Sequence, residues 1–160
     1  PAYPDHDTLL AQRNRVIEWH PETTFIGAHL GNYPEKLSYV DDCLERYPNF
    51  FVDMSSRIAE IGRHPPEKAR AFFVKHQDRI LFGTDIVIGW DVLDDRLPTD
   101  LPGFKDYYDL HWRFFETDDR QIEYPEFPVQ GNWKVDAINL PEGVLKKLYR
   151  ENAKQIIPNA

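Results

Sequence analysis

Apolar residues recur at helical spacing in four stretches of the chain. Each stretch carries one apolar stripe and is bounded by capping or helix-breaking residues. The predicted helices span residues 7–19, 34–47, 65–76 and 141–157. Prolines open the last three, in the first-turn position where the missing N–H has no partner to lose.

Three short apolar runs between these helices predict strands at 23–30, 50–54 and 80–84. The runs end near His29, Ser55 and Asp85, which are 26 and then 30 residues apart. That period is typical of βα units that feed a parallel sheet, and nearly continuous apolar runs indicate strands buried on both faces. We expect three adjacent parallel strands in chain order, with helices packed on the outer face.

The period breaks after Asp85, where residues 86–139 form a 54-residue excursion. A connection of that length is usually functional or disordered, and this one is too aromatic for disorder. The run "FKDYYDLHWRFFET", residues 104–117, predicts a helix that is apolar nearly all round, and residues 122–139 predict a hairpin around Gly131. We therefore expect one domain: βα units over 1–85, a lid or cap over 86–139, and a closing helix over 140–160.

Composition narrows the class of protein. The chain is 41% hydrophobic and 29% charged, as in ordinary globular domains, and its net charge of −8 argues against a sequence-independent grip on nucleic acid. The single cysteine, Cys43, excludes an internal disulfide and favours a reducing compartment. Neither a membrane-length apolar run nor a leader pattern is present, so we expect a cytoplasmic protein without membrane partners.

Two strands deliver ligand-type side chains at their ends. Each apolar run passes a glycine, Gly27 or Gly83, and then reaches His29 or Asp85. Sites in parallel α/β folds lie at the carboxyl ends of the strands, so these two side chains should converge on one cleft. An imidazole and a carboxylate are ligands for a catalytic divalent metal such as zinc. Equally, they could form an acid–base pair without metal, or be a satisfied core histidine and a cap.

Arginines follow the middle strand and should overhang the same face. Arg57 and Arg63 are candidates to bind a substrate carboxylate in bidentate fashion. The alternative is a structural salt bridge to Asp53, Glu60 or Asp85.

Three other residues are weaker candidates around this face. Trp90, just after Asp85, is a candidate for lining a substrate pocket from the lid side. His111, in the aromatic lid helix, could reach the site from above. Asp53 lies inside its strand and should join packing or a hydrogen-bond network.

Four segments carry a family resemblance: "TTFIGAHLGN", "YPNFFVDMSSRIAEIGR", "DRILFGTD" and the ending "LYRENAKQII". In that order they resemble the amidohydrolase-related family, the (β/α)₈ hydrolases and decarboxylases that include aminocarboxymuconate-semialdehyde decarboxylase and its relatives. The resemblance covers nearly the whole chain, and residues 86–139 match least.

The resemblance implies roles for individual residues. His29, at the end of strand six, would polarise or deprotonate a metal-bound water. Asp85, at the end of strand eight, would be a metal ligand and proton acceptor. Asn152, in "ENA", would belong to the helix that closes the barrel and be structural.

One departure from the family is large. The family's His-x-His on strand one and metal histidine on strand five have no counterpart here, and the chain contains no H-x-H. We therefore expect the C-terminal part of a TIM barrel, strands six to eight. The remaining ligands would precede Pro1, and the N-terminal half of the barrel, or a second copy of the chain, would cover the open sheet edges.

Three functions stay open at this point. The first is a metal-dependent hydrolase of a small carboxylate-bearing or cyclic substrate. The second is a non-oxidative decarboxylase on the same metal site, with the arginines holding the carboxylate. The third is a half-barrel without catalysis.

Overall fold

The computed structural model of the chain describes residues 3–85, 104–123 and 133–157. The strands are β1 (Phe25–Gly27), β2 (Phe50–Asp53) and β3 (Ile80–Leu81). The helices are α1 (His6–Trp19), α2 (Ala28–Gly31), α3 (Leu37–Arg46), α4 (Ile58–Ile61), α5 (Pro66–Lys75), α6 (Phe104–Glu116), α7 (Glu142–Lys146) and α8 (Asn152–Ile156). A π-helical turn, Lys147–Glu151, joins α7 to α8.

The described strands form one parallel sheet in the order β1-β2-β3. Phe25 pairs with Phe50, and Val52 pairs with Ile80, both in parallel register. Helix α3 lies in the connection from β1 to β2, and α5 in the connection from β2 to β3. The predicted mixed α/β fold, with parallel strands adjacent in chain order, is confirmed.

The core forms where the helices cover β2. Phe50, Val52 and Met54, on alternate positions, are at most 1% exposed and belong to the same apolar cluster as residues of α3 and α5. Ile26 of β1, in contrast, is 44% exposed. The prediction that every strand is buried on both faces is therefore wrong for β1, because no described element covers the face on which Ile26 lies.

Two strands are shorter than their apolar runs. β1 ends at Gly27 because the backbone turns left-handed at His29 and Leu30. β3 ends at Leu81, four residues before Asp85. Apolar composition located both strands, but it does not show where ladder pairing stops.

The lid prediction is only partly covered by the described residues. Helix α6 spans Phe104–Glu116, close to the predicted range, and Ile122 pairs with Val135 in an antiparallel bridge, as a hairpin would require. Trp90 and Gly131 lie outside the described residues. In the part of the chain that the structure covers, no helix has the length and apolarity to cross a bilayer.

A histidine on α6, His111, is completely buried against the segment that follows β3. The His111 ring packs edge-on against Tyr107 and Phe82, with centroids 4.6 and 5.6 Å away. Its Nδ1 lies 2.7 Å from the Tyr107 carbonyl and donates to it, and Nε2 is buried with no hydrogen-bond partner among the described residues. Burial lowers the pKa of His111, so the ring is held neutral.

Acid should therefore destabilise the fold through His111. An unfolded histidine has a pKa of about 6.5. Below that pH, His111 binds a proton in the unfolded chain but stays unprotonated in the folded chain until the pH reaches its lower folded pKa. Stability from this group is complete above about pH 6.5 and is lost as the pH falls from there towards the lower folded pKa. We expect urea unfolding at pH 7.5 and 5.5 to show a smaller pH dependence for His111→Phe than for the unsubstituted chain. An equal dependence would contradict a neutral buried ring.

Candidate active site

The backbone after β1 forms a left-handed turn. His29, Leu30 and Asn32 have φ values of 56°, 54° and 62°, and Gly31 between them has 64°. For L-residues this conformation costs roughly 1–2 kcal/mol each, so other contacts must hold it. Strain of this kind clusters at functional sites. The "GN" pair in "HLGN" was the sequence signal for the turn, because glycine and asparagine tolerate positive φ.

One carboxylate oxygen of Asp53 holds this turn in place. The backbone N–H of His29 donates to Asp53 Oδ1 at 3.1 Å, and the N–H of Ser55 donates to the same oxygen at 3.0 Å. The ends of β1 and β2 are thereby tied to one charged acceptor. The expected network role of Asp53 is confirmed.

The imidazole of His29 is oriented by the next strand. Its Nδ1 lies 2.8 Å from the carbonyl oxygen of Ser55. A carbonyl only accepts, so Nδ1 carries the proton and the neutral ring presents the Nε2 lone pair. The side chain is 30% exposed, and Nε2 lies 4.0 Å from Asp85 Oδ2. The two predicted residues therefore converge at the strand ends.

Asp85 reaches this position through a close approach of β3 to β2. A Cβ added to Gly83 would overlap Ser55 Oγ, with Ser55 Cβ 3.4 Å away. The glycine thus lets the chain pass the end of β2, as its place in the apolar run predicted. Asp85 and Ser56 also have positive φ, at 57° and 56°. All three strand ends therefore carry strained backbone.

Arg57 lies beside the site in a salt bridge. Its Nη1 atom donates to the Ser56 carbonyl at 3.1 Å and lies 3.9 Å from Glu60 Oε1. The structural alternative for Arg57, a salt bridge to Glu60, is thus present. Arg57 also lines a cavity of about 340 Å³, so its salt bridge to Glu60 does not exclude contact with a substrate.

His29 lines a different cavity from Arg57. A groove of about 380 Å³ runs between α1 and the end of β1, where it meets Leu9, Gly27 and His29. His6 and Asn32 border both cavities, which makes the two neighbours. His29 and Asp85 thus lie close together, as predicted, but neither cavity has Asp85 in its described lining and Arg57 opens onto the adjoining one, so a single cleft shared by all three stays a prediction.

Arg63 makes a contact that the sequence did not suggest. Its guanidinium lies 4.6 Å from the centroid of the Trp133 ring, and the Trp133 indole N–H donates to the Ala59 carbonyl at 2.8 Å. This cation–π contact is a structural role for Arg63. Substrate binding by Arg63 and Trp90 stays a prediction.

The sequence also gave little sign of how Glu60 is placed. It is 2% exposed, and neither carboxylate oxygen has a hydrogen-bond partner within the described ranges of the chain. Burial raises its pKa, against the opposing effect of Arg57. A charge between Ile58 and Ile61 in an otherwise apolar turn was the only signal.

In the part of the chain that the structure describes, two groups of side chains are candidates for holding a metal. The atoms His29 Nε2 and Asp85 Oδ2 are 4.0 Å apart, which is within twice a zinc–ligand bond of about 2.0–2.2 Å. Their donor set suits zinc, and the Ser55 carbonyl supplies the outer contact that metal-binding histidines use. The other group is Asp41, Asp42 and Glu45 on α3. Lys75 Nζ already lies 2.7 Å from Asp41 and 2.6 Å from Glu45, so this group fits a metal less well.

Comparison with known proteins gives the family. The sequence profile described as amidohydrolase matches residues 4–158. No curated protein and no solved structure matches the chain. The chain belongs to the amidohydrolase family, which indicates a metal-dependent hydrolase or a related activity.

Filling the space at Gly83 should disturb the site measurably. We expect Gly83→Ala to lower the free energy of unfolding by about 1–3 kcal/mol, because the new methyl group meets the Ser55 hydroxyl. Ser55→Ala removes that oxygen and should recover much of the loss. A double-mutant cycle in urea measures the coupling; strictly additive effects would show that the two residues do not touch.

Removing the Asp53 carboxylate should loosen the left-handed turn. Asp53→Ala leaves two backbone N–H groups without their charged acceptor, so we expect a loss of about 1.5–3 kcal/mol. Asp53→Asn keeps one acceptor oxygen and should lose clearly less. Urea unfolding gives the energies, and amide exchange at His29 reports the turn. Exchange at His29 that is the same in Asp53→Ala as in the unsubstituted chain would contradict this role.

Proposed function

We propose that the chain carries part of the active site of a metal-dependent hydrolase that acts on a small carboxylate-bearing or cyclic substrate. The observation that supports this most is the 4.0 Å approach of His29 Nε2 to Asp85 Oδ2. Both side chains are partly exposed, both sit on strained backbone, and each follows a parallel strand at its carboxyl end. That combination is typical of a catalytic site in this class of fold.

The ion that this site would hold is a divalent metal, with zinc the best match to the donors. His29 Nε2 and a carboxylate oxygen of Asp85 would bind it, and the ion would supply a Lewis acid for the hydrolysis. Ser55 holds the His29 tautomer that leaves Nε2 free. The Asp85 carboxylate is also placed to accept a proton from a group bound between the two side chains.

Two protein ligands fall short of the three that a catalytic zinc usually takes. We propose that the rest come from a polypeptide segment that completes the sheet, either the N-terminal half of a TIM barrel or a second copy of the chain. The outer edge of β1 is open in the described sheet, Ile26 there is 44% exposed, and the groove with His29 lies alongside. In this proposal β1, β2 and β3 are strands six, seven and eight.

The substrate class rests on Arg57. Its guanidinium borders the cavity next to the His29 groove, where it would bind a carboxylate while Glu60 balances its charge. A carboxylate held there also suits the alternative activity, a non-oxidative decarboxylase. Products separate the two: a hydrolase adds water to its substrate, whereas a decarboxylase releases carbon dioxide. The free thiol of Cys43 favours a reducing compartment such as the cytoplasm.

Zinc titration of matched variants tests the proposed site. We expect Asp85→Asn to weaken zinc binding at least tenfold in calorimetry, because the amide keeps the shape but loses the charge that binds a cation. Its melting temperature should barely change, since Asp85 is half-exposed and its one described side-chain contact is the 4.0 Å approach to His29. Imidazole ¹⁵N resonances identify the ligand, and zinc should shift His29 Nε2.

Asp42→Asn is the control, because it alters the acidic group on α3 without touching His29. If Asp42→Asn weakens zinc binding and Asp85→Asn does not, the metal prefers α3 and the proposed site is wrong. Absence of zinc binding at His29, together with unfolding by Asp85→Asn, would make Asp85 a structural cap and favour a half-barrel without catalysis. Sedimentation of the zinc-loaded chain reports whether a second copy completes the site.

A further inference from the structure

The segment that carries Asp85 has lost its strand partner before it reaches the site. β3 ends at Leu81, so ladder pairing with β2 does not hold Phe82 to Asp85. The last ladder bond on this side runs from the Met54 N–H to the Leu81 carbonyl, at 3.2 Å. Contacts from outside the sheet must therefore fix where Asp85 lies.

The closing helix makes the first of these contacts through its π-helical turn. The Asn152 N–H donates to the Lys147 carbonyl, five residues back, instead of to Leu148, four residues back. The Leu148 carbonyl is thereby released from its α-helical partner. It accepts the backbone N–H of Phe82 at 3.0 Å.

The Asn152 side chain makes the second contact. It is 2% exposed, and its Nδ2 donates to the carbonyls of Ile80 at 2.7 Å and Gln77 at 2.8 Å. The Arg79 and Leu81 carbonyls accept N–H groups of β2, so Ile80 and Phe82 turn their polar groups to the opposite edge. There Asn152 Nδ2 and the Leu148 carbonyl act as the N–H and C=O that a neighbouring strand would offer.

We propose that Asn152 is a positioning residue for Asp85. Its side chain anchors β3 at the Ile80 carbonyl, next to the point where the π-helical turn offers the Leu148 carbonyl to Phe82, so that Phe82 is held three residues before the carboxylate. The Tyr149 ring packs edge-on against Phe82 with centroids 5.3 Å apart and secures the same point. π-Helical turns are rare in proteins overall, but those that occur are often at functional sites, which agrees with this role. The expected effect of Asn152 on metal binding rests on the proposed function. Its expected effect on the backbone before Asp85 does not.

Asn152→Ala and Asn49→Ala form a matched pair for the test. Asn49 Nδ2 also donates to backbone carbonyls, those of Ile17, His20 and Thr23, in the segment that leads into β1. Both substitutions remove amide-to-carbonyl bonds and should destabilise the chain. Only Asn152→Ala should act on the segment before Asp85.

Amide hydrogen exchange is the readout that separates positioning from stability. We expect Asn152→Ala to speed exchange of the Phe82 N–H at least tenfold more than that of Val52, whose N–H bonds Arg79 within the sheet. Asn49→Ala should change both amides by the same factor. Zinc affinity at His29 and Asp85 should fall roughly 10–100-fold in Asn152→Ala, the usual effect of losing support for a ligand, and stay within twofold in Asn49→Ala.

Equal factors for Phe82 and Val52 in Asn152→Ala would overturn the proposal. If Asn152→Ala does not fold, the milder variant Asn152→Ser takes its place in the exchange experiment. The unsubstituted chain then gives a second test, the NMR coupling through the hydrogen bond between Phe82 N and the Leu148 carbonyl carbon. A missing coupling would overturn the proposal. If the unsubstituted chain binds no zinc, the proposed function fails and the exchange ratio alone decides the role of Asn152.

Discussion

The site depends on one carboxylate oxygen, Asp53 Oδ1. It accepts the N–H groups of His29 and Ser55, so a single charge fixes both the end of β1 and the end of β2. The Ser55 carbonyl in turn accepts a hydrogen bond from His29 Nδ1–H, so the same anchor sets the tautomer of the imidazole. A charged acceptor in a partly buried place makes hydrogen bonds about twice as strong as neutral ones. That strength is what lets His29 keep a left-handed backbone.

Backbone strain and its compensation are arranged differently at the strand ends. At β1 the strain lies in the turn through His29 and is opposed by Asp53 from β2. At β3 the strain lies at Asp85, beyond the last paired residue, and the compensating contacts come from the closing helix and from Tyr107, whose hydroxyl donates to the Thr84 carbonyl at 3.1 Å. Two separate supports thus bring two side chains within 4.0 Å. A metal-binding pair needs this, because each ligand must be held without relying on the other.

The proximity of His29 to Asp85 could be predicted from the sequence because it depends on a local sequence pattern. Each segment has an apolar run, a glycine, and a polar residue at the end of the strand. The strand order could be predicted because βα units with short connections place successive parallel strands side by side. The glycine–asparagine pair marks the left-handed turn, but its anchor, Asp53, lies 24 residues away on the next strand. The release of the Leu148 carbonyl towards Phe82 and the burial of Glu60 could not be predicted, because both depend on how separate segments pack together. Arg57 was predicted only in part. Its position after β2 follows from the sequence, but the cavity that it lines does not.

Locating a bound zinc ion directly tests the central claim, that the strand ends create a metal site from His29 and Asp85. Crystals grown with zinc and measured at the zinc absorption edge give the ion's position from anomalous scattering, whatever the reaction is. The account predicts a peak within about 2.0–2.2 Å of His29 Nε2 and of an Asp85 carboxylate oxygen, with Nδ1 still bonded to the Ser55 carbonyl. A peak among Asp41, Asp42 and Glu45 with none at His29 would contradict it.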